Sequence, residues 1–286
     1  MKRAKRSLKA GLLTAIAVCW LVPIVIVVTL MGVLLGRSYR QSVQQEISAE
    51  AESAVGRVQI YLQRAVEDSK QVSYDGVVRS AYRQYLQDGL GISLYRSVND
   101  YLNQRLARDK KYQVVFISFW TGGIAQSYVL GGSDTGREII STVQEHTPVI
   151  LESMAEVDTG IRFLLLDGEL YMARNLLDSS FTAYATVVMV FDAAYMFAPL
   201  MELDVPGGPE ITVDTCVFRL DPEGVLTEPE AQSEVSNRIV YDAPVDGYGF
   251  SAAIEMAEYR FWEANPWMGW TAAVAAALVL PFLIAA

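Results

Sequence analysis

The sequence predicts an α+β protein, in which a long N-terminal helix precedes an antiparallel sheet and a membrane span lies at each end. Three observations predict this class. Residues 11–36 and 266–286 form two apolar runs without a charged residue. A helical period follows the first run, and strand patterns begin only after Val114. Strands that are grouped after helices, instead of alternating with them, are typical of α+β proteins.

The charge of the chain is distributed unevenly along its 286 residues. The net charge is −10, all 33 acidic residues lie between Glu46 and Glu263, and a basic cluster precedes the first apolar run. Basic flanks are retained on the cytoplasmic side of a membrane, which predicts a cytoplasmic N-terminus and an extracytoplasmic segment at 37–264. This acidic segment lacks the basic face that nucleic-acid phosphates require, so we expect no nucleic acid as its partner.

The apolar run at 11–36 is long enough to cross a bilayer, which takes roughly 20 helical residues. A cleaved signal peptide would have a shorter apolar region of about 7–15 residues, so we expect an uncleaved anchor. A second span is predicted at 265–286, where Pro266 and Trp267 suit a helix start at the headgroup level. No basic flank follows Ala286, so we expect the chain to continue into a cytoplasmic part.

A helical stripe of small and apolar residues follows the first span between Ser38 and Val72. Its members recur at spacings of three and four: Ile47, Ala51, Ala54, Val58, Tyr61, Ala65 and Val72. Such a stripe either packs on its own domain or forms the stalk of a homodimer, and the sequence leaves both interpretations open.

The rest of the outer segment changes from helices to strands. Helices are predicted within 76–110, broken at Gly89 and Gly91, and again at 136–156. Strands are predicted at 114–120, 125–130, 162–166, 169–177, 183–191, 211–220, 238–241 and 250–256. Asp167-Gly168 is the strongest hairpin signal, and Asp192 is expected to cap a short helix that ends near Met201. Val205–Pro209 predicts a break between lobes.

This organisation, with its stretches YQVVFISFW and ATVVMVFDAAYMF, resembles the Cache-type, PAS-like extracytoplasmic sensors of bacterial transmembrane receptors. The resemblance implies either two lobes or a single Cache domain with an extended tail. The predicted order is a cytoplasmic basic tail at 1–10, a span at 11–36, a helical stalk with further helices at 37–110, a distal lobe at 111–204, a small proximal lobe at 205–264 and a span at 265–286.

Residues that commonly perform catalysis are sparse. His146 is the only histidine, which excludes a multi-histidine metal site, and no P-loop occurs. We therefore expect no catalytic site, metal or cofactor in these 286 residues, and we expect His146 to be a surface residue. Cys19 lies in the predicted first span and Cys216 in the outer segment, so the two cannot pair within one chain. Cys216 is either a buried, inert thiol or part of an intermolecular bridge.

The resemblance implies a ligand between the sheet and its covering helices or loops. The candidate residues in the distal lobe are Trp120, Tyr128, Tyr171, Arg174, Tyr184 and Asp192. An aromatic wall with one arginine and one aspartate suits a small zwitterion, and Arg174 alone suits a carboxylate. The alternative is an ordinary aromatic core, with Arg174 on the exposed sheet face and Asp192 as a helix cap.

The function implied by the resemblance is ligand or stress sensing at the bacterial plasma membrane, in a homodimer that contacts lipid. The expected output is a histidine kinase that follows the second span. A chemoreceptor or diguanylate cyclase output fits these residues as an alternative. A membrane-anchored scaffold that binds an envelope protein is the hypothesis from another class.

Overall fold

The computed structural model describes the backbone of residues 2–106, 108–120, 127–130, 136–157, 160–203, 208–229, 238–245 and 248–255. Residues 50–257 form one compact unit, called the larger unit below, and the helical residues that precede Glu50 belong to a second unit. Among the described residues, no helix combines the length and the apolar character needed to cross a membrane. The span predicted at 11–36 therefore stays a prediction, and the span at 265–286 lies outside the described residues.

Six helices are found in the described part of the chain. They are α1 (Lys2–Tyr74), α2 (Val77–Asp88), α3 (Gly91–Leu106), α4 (Gly136–Ala155), α5 (Ala193–Met196) and α6 (Ala198–Met201). Glycines in the left-handed conformation flank α2, since Gly76 has φ 73° and Gly89 has φ 70°. Gly89 N–H donates to the carbonyl of Tyr85, which closes the last turn of α2. The predicted break between α2 and α3 is confirmed.

Ten strands form two antiparallel five-stranded sheets in the same part of the chain. The strands are β1 (Tyr112–Phe119), β2 (Ser127–Leu130), β3 (Ile161–Leu166), β4 (Glu169–Leu177), β5 (Ala183–Phe191), β6 (Glu210–Val213), β7 (Cys216–Leu220), β8 (Leu226–Thr227), β9 (Arg238–Asp242) and β10 (Phe250–Glu255). The first sheet has the order β2-β1-β5-β4-β3, and the second has the order β8-β7-β6-β10-β9. The predicted α+β class and antiparallel pairing are confirmed.

The helical stripe packs on its own domain over most of its length. Ala51, Ala54, Val58, Ala65 and Val72 of α1 are buried in the larger hydrophobic cluster, which also contains residues of both sheets. Burial of these side chains removes apolar surface from water, which stabilises the fold in proportion to the area. The domain-packing interpretation is therefore confirmed for residues 51–72, and the dimer stalk stays a prediction.

The tightest predicted turn forms as the sequence indicates. Leu166 pairs with Glu169, so Asp167 and Gly168 are the two loop residues between β3 and β4. Both have positive φ, 48° and 78°, as a type I′ hairpin requires.

A single strand was expected at 211–220, and this prediction is wrong. The chain turns at Asp214-Thr215, where Asp214 has φ 55° and Val213 pairs with Cys216. Aspartate is among the residues that tolerate the left-handed conformation, because its side chain can bond locally to the backbone. Strand β7 therefore begins with Cys216, which is half-buried and unpaired, and burial raises the pKa of its thiol.

Candidate functional site

The first sheet has two covered faces, and each is a place where a site could form. Successive residues of a strand point to opposite faces of a sheet. Helix α1 covers one face, called the α1 face, which belongs to the larger hydrophobic cluster. Helix α4 covers the other face, called the α4 face. The smaller hydrophobic cluster contains residues of this face and of α4. The buried members of that cluster are Val114, Phe116, Val143, Ile150, Met154, Tyr171, Ala173, Val188 and Val190.

A charged cluster connects α1 to the beginning of β1. The Lys111 ammonium lies 3.0 Å from a carboxylate oxygen of Asp68 and 3.1 Å from one of Asp109. The Tyr112 hydroxyl donates to the same Asp68 oxygen at 2.8 Å. Lys111 is only 6% exposed, so its charge is removed from water and depends on these two carboxylates.

Burial, followed by the nearby Asp68 carboxylate, raises the pKa of Tyr112 well above its usual value. The phenol therefore stays protonated at neutral pH and remains a hydrogen-bond donor to Asp68. Asp68 thus accepts from a phenol and an ammonium at once, which fixes the position of this turn of α1 against β1.

A second polar contact joins the next residue of α1 to the middle of β4. The Arg174 guanidinium donates through Nε to the Ser69 hydroxyl at 2.8 Å. Ser69 donates in turn to the Val66 carbonyl at 2.7 Å and is almost completely buried. Arg174 therefore points toward α1, and consecutive residues of α1 contact two different strands of the first sheet through polar groups.

The α4 face holds a hydrogen-bond network centred on His146. Its Nδ1 lies 2.8 Å from the Tyr171 hydroxyl, and its Nε2 lies 2.9 Å from an Asp167 carboxylate oxygen. The surface position expected for His146 is wrong, because its ring is buried against Tyr171. Burial raises the pKa of the Tyr171 phenol. A protonated phenol can donate to Nδ1 only when that nitrogen carries no hydrogen, so this arrangement suits the tautomer with hydrogen on Nε2.

A second network on the α4 face begins at the surface and ends at the carboxyl end of α4. The Trp120 indole N–H donates to the Thr186 hydroxyl at 2.8 Å, and that hydroxyl donates to the Asn175 side-chain oxygen at 2.9 Å. The Asn175 amide then donates to the carbonyls of Met154 and Val157 at 2.9 and 2.7 Å. Asn175 thereby bonds one carbonyl in the last turn of α4 and one just beyond the helix, where carbonyls lack the usual helical partner.

Five of the six predicted ligand residues have described side chains, and these five do not converge on one pocket. Trp120 and Tyr171 lie on the α4 face, in separate networks. Arg174 contacts Ser69 on the α1 face. Tyr184 also belongs to the larger cluster, and its ring stacks 5.0 Å from Tyr82.

The other two predicted residues are Tyr128 and Asp192. Tyr128 pairs in register with Phe116, and its side chain lies outside the described residues. Asp192 accepts a hydrogen bond from the Tyr195 N–H at 3.0 Å and caps α5. Its expected role as a helix cap is confirmed, and a ligand role for these six residues stays a prediction.

The polar residues of these contacts that the sequence did not single out are Asp68, Ser69 and Lys111. Asp68 interrupts the apolar stripe of α1, which is a usable signal for an inward-facing polar residue. His146 lies 21 and 25 positions from its two partners, and no local pattern connects residues so far apart.

Comparisons with known proteins find similarity at the level of structure. No protein-family model matches the sequence, and neither does a curated protein. The sensory domain of the Campylobacter jejuni chemoreceptor Tlp3, with isoleucine bound, aligns with a TM-score of 0.46 and 10% identity, over 78% of this chain and 96% of that chain. The Vibrio cholerae LuxQ periplasmic domain aligns with a TM-score of 0.36 and 13% identity, over 73% of this chain and 100% of that chain.

The ligand-binding domain of the Pseudomonas aeruginosa amino acid chemoreceptor PctC, in complex with GABA, aligns with a TM-score of 0.34. It is 13% identical, over 68% of this chain and 99% of that chain. The structures that this chain resembles are thus periplasmic sensory and ligand-binding domains. At these TM-scores the similarity assigns no site and no ligand to this chain.

Proposed function

We propose that the larger unit is the extracytoplasmic input domain of a bacterial transmembrane signal transducer. The proposal includes spans at 11–36 and 265–286 and a cytoplasmic N-terminus. The basic cluster before residue 11 and the absence of charge in both runs support this topology. The acidic composition of the intervening residues is compatible with an aqueous extracytoplasmic environment.

The observation that carries the proposal is the way α1 enters the larger unit. Asp68 and Ser69 contact β1 and β4 through polar groups, while residues 51–72 of the same helix contribute to the core. A rearrangement of the first sheet would therefore displace α1, whose residues continue in sequence toward the proposed first span. Helix shifts of about 1–2 Å are sufficient in known signalling proteins.

A stimulus acts in this mechanism only if it binds one arrangement of α1 and the first sheet more tightly than the other. Polar contacts suit such a switch, because their distances and angles tolerate less change than apolar contacts. Lys111 has two carboxylate partners and Asp68 two donors, so alternative pairings are available to the same groups.

The output we favour is a histidine kinase in a homodimer, and a chemoreceptor or a diguanylate cyclase is the alternative.

The α4 face favours one further candidate, a domain whose stimulus is another envelope protein. In the described residues, this face is filled by apolar side chains and by two networks with their hydrogen bonds made. A small molecule would have to displace these groups, whereas a partner protein could act from the surface.

Topology is tested by fusing alkaline phosphatase after residue 264 and, separately, after residue 286. The enzyme is active only outside the cytoplasm, so activity is expected for the first fusion alone. Activity of both fusions, or of neither, contradicts the proposed two-pass arrangement.

Signalling is tested in a chimera in which residues 1–286 precede the cytoplasmic part of a well-studied histidine kinase. Asp68→Asn removes one charge beside Lys111 and is expected to change the basal kinase activity at least about twofold, through a different balance of the two arrangements. Glu52→Gln removes an exposed charge from the same helix and is the matched control. Equal kinase activity in all three proteins would contradict coupling through Asp68.

A further inference from the structure

The only histidine of the chain is buried in the α4 face of the first sheet. His146 is 9% exposed, and its ring lies edge-on to the Tyr171 ring, with the ring centres 5.5 Å apart. Histidine is the side chain that ordinarily titrates between about pH 5 and pH 8. A buried histidine whose ring nitrogens are both bonded therefore connects acidity to the packing of α4.

The two ring nitrogens of His146 have different partners. Nδ1 lies 2.8 Å from the hydroxyl of Tyr171, a residue that is completely buried. Nε2 lies 2.9 Å from the carboxylate of Asp167, whose side chain is 83% exposed. With the hydrogen on Nε2, the phenol donates to Nδ1 and Nε2–H donates to Asp167. A neutral ring therefore makes both contacts.

Protonation of the ring breaks one of these contacts and keeps the other. A second hydrogen can be added only at Nδ1, and an imidazolium has two N–H donors and no acceptor. The Tyr171 hydroxyl would then face a donor, and its hydrogen would need another acceptor in a buried environment. The Nε2–H bond to Asp167 survives with charge assistance, although the exposed carboxylate makes this ion pair weak.

Charged and titratable groups face His146 from the elements packed on α4. Burial, followed by the charge of Asp192, raises the pKa of Glu169, and the charge of His146 acts in the opposite direction. Burial raises the pKa of Tyr171, so the phenol keeps its hydrogen at neutral and acidic pH. In the described part of the chain, the groups on this face and beside the ring are Asp167, Glu169, Tyr171, Asp192, the exposed Glu145 of α4 and Arg162 at the far end of β3.

The hairpin tip that stays bonded to a protonated His146 lies against the second sheet. A Cβ atom at Gly168 would lie 3.1 Å from the Leu226 carbonyl oxygen of β8, so the tip and this strand are in close contact. The same sheet contains β10, which precedes the proposed second span in sequence. A displacement of the tip together with the ring would therefore act on the second sheet as well.

We propose that His146 is a proton-sensitive switch and that acidification is a stimulus of this domain. At neutral pH the ring joins Tyr171 of β4 to Asp167 of the hairpin tip and holds α4 on the sheet. In acid the ring carries two N–H groups, releases Tyr171 and stays with Asp167. The arrangement with the Tyr171 bond takes up a proton less readily than the one without it, so falling pH favours the second arrangement. This regulation rests on the proposed sensory function for its biological role.

The switch is tested on the full 286-residue chain in detergent micelles, without a histidine tag. Because the chain contains one histidine, ¹³C labelling of histidine gives a single ring Cε1–H signal in an NMR spectrum. This signal is expected to move between about pH 8 and pH 5, as the ring takes up its second hydrogen. Amide hydrogen exchange, corrected for the intrinsic pH dependence of the exchange rate, should show about a tenfold loss of protection in α4 over the same range.

Two variants separate the histidine from its bond. His146→Asn keeps an acceptor near the position of Nδ1 but cannot titrate, so the protection of α4 should change less than about twofold between the two pH values. Tyr171→Phe keeps the histidine but removes the phenol hydroxyl, so the histidine signal should still move while the protection of α4 changes less than about twofold. Glu145→Gln removes the exposed carboxylate next to His146 in sequence and is the control, which should keep the wild-type loss.

Four outcomes would overturn the proposal. They are a histidine signal that does not move, α4 protection that is unchanged in the wild type, an equal loss of protection in the wild type and His146→Asn, and an equal loss in the wild type and Tyr171→Phe. The third would assign the pH effect to another group, such as Glu169, and the fourth would exclude the Tyr171 bond. Failure of the switch and failure of the sensory proposal are distinguishable, because no measurement here depends on topology or kinase activity.

Discussion

The two faces of the first sheet are held by different chemistry. The α1 face combines an apolar core with charged contacts, in which Lys111 lies between two carboxylates and Arg174 donates to Ser69. On the α4 face, Asn175 joins neutral donors and acceptors, and His146 lies between the Tyr171 hydroxyl and the Asp167 carboxylate. Both faces are buried, so exposure to water does not explain the difference.

The charged contacts on the α1 face therefore fix the position of α1 more than they stabilise the fold. A buried ion pair loses hydration that its mutual attraction often only balances, whereas an apolar pair of similar size packs without that cost. Neutral networks have a smaller desolvation cost and are sufficient where a helix only has to be held. The buried ammonium of Lys111 thus lies on the face whose helix α1 is proposed to move, whereas α4 is held through the hydrogen bonds of Asn175 and His146.

Replacing Lys111 should cause the largest loss of stability, because it disrupts the charged cluster on the α1 face. Lys111→Met retains most of the buried stem but leaves Asp68 and Asp109 without their shared cation. Breaking one side of a buried pair is expected to lower the free energy of unfolding by about 3 kcal/mol. Urea denaturation measures the change.

Lys110→Met is the matched control, because Lys110 is the exposed neighbour in sequence and its loss should have little effect. If both variants unfold at the same urea concentration, the cluster does not hold α1 against β1 as the distances indicate.

A smaller effect is expected on the neutral side. Tyr171→Phe removes the donor to His146 Nδ1 and leaves a buried acceptor without a partner, which should cost about 1–2 kcal/mol. Amide hydrogen exchange should show a greater loss of protection in α4 than in α1. Tyr195→Phe, at a half-exposed residue, is the control. Equal loss of protection in both helices would mean that the two faces are not independent.

The smallest effect is expected at Glu169, whose carboxyl group lies on the α4 face. Glu169 lies two residues before Tyr171 and therefore on the same face of β4. Burial, and secondarily the charge of Asp192, raises the pKa of Glu169 above its usual value of 4.5. Glu169→Gln removes this ionisation and is expected to stabilise the protein at neutral pH.

The direction of the pH dependence follows from proton binding. With a raised pKa, the folded state keeps a proton on Glu169 that the unfolded state has already released. Stability therefore falls as pH rises from about 4.5 through the folded pKa, and the advantage of Glu169→Gln grows over the same window. Thermal unfolding at several pH values measures it, and a constant difference between the two proteins would contradict the assignment.

Local chemistry made much of the fold predictable. The Asp167-Gly168 turn, the break at Gly89 and the Asp192 cap each depend on residues adjacent in sequence, and all three occur as expected. The hairpin at Asp214 was missed because it contains no glycine and interrupts an otherwise continuous strand pattern.

The candidate site was less predictable, since its contacts join residues far apart in sequence. The alternation of strands does separate Tyr171 from Arg174, because residues three positions apart lie on opposite faces. This alternation argues against a single pocket lined by the side chains of Tyr171 and Arg174. The pairing of His146 with Tyr171, or of Ser69 with Arg174, instead depends on how helices lie across the sheet, which local periodicity does not define.

The tip of the β3–β4 hairpin restricts the substitutions that the protein can accept. Asp167 contacts His146, while a Cβ atom at Gly168 would lie only 3.1 Å from the Leu226 carbonyl oxygen of the second sheet. Gly168 also has φ 78°, so any side chain there would meet both backbone strain and a close neighbour. In a saturation library, position 168 should therefore admit glycine almost alone, whereas Gly56, with open space around it, should accept alanine.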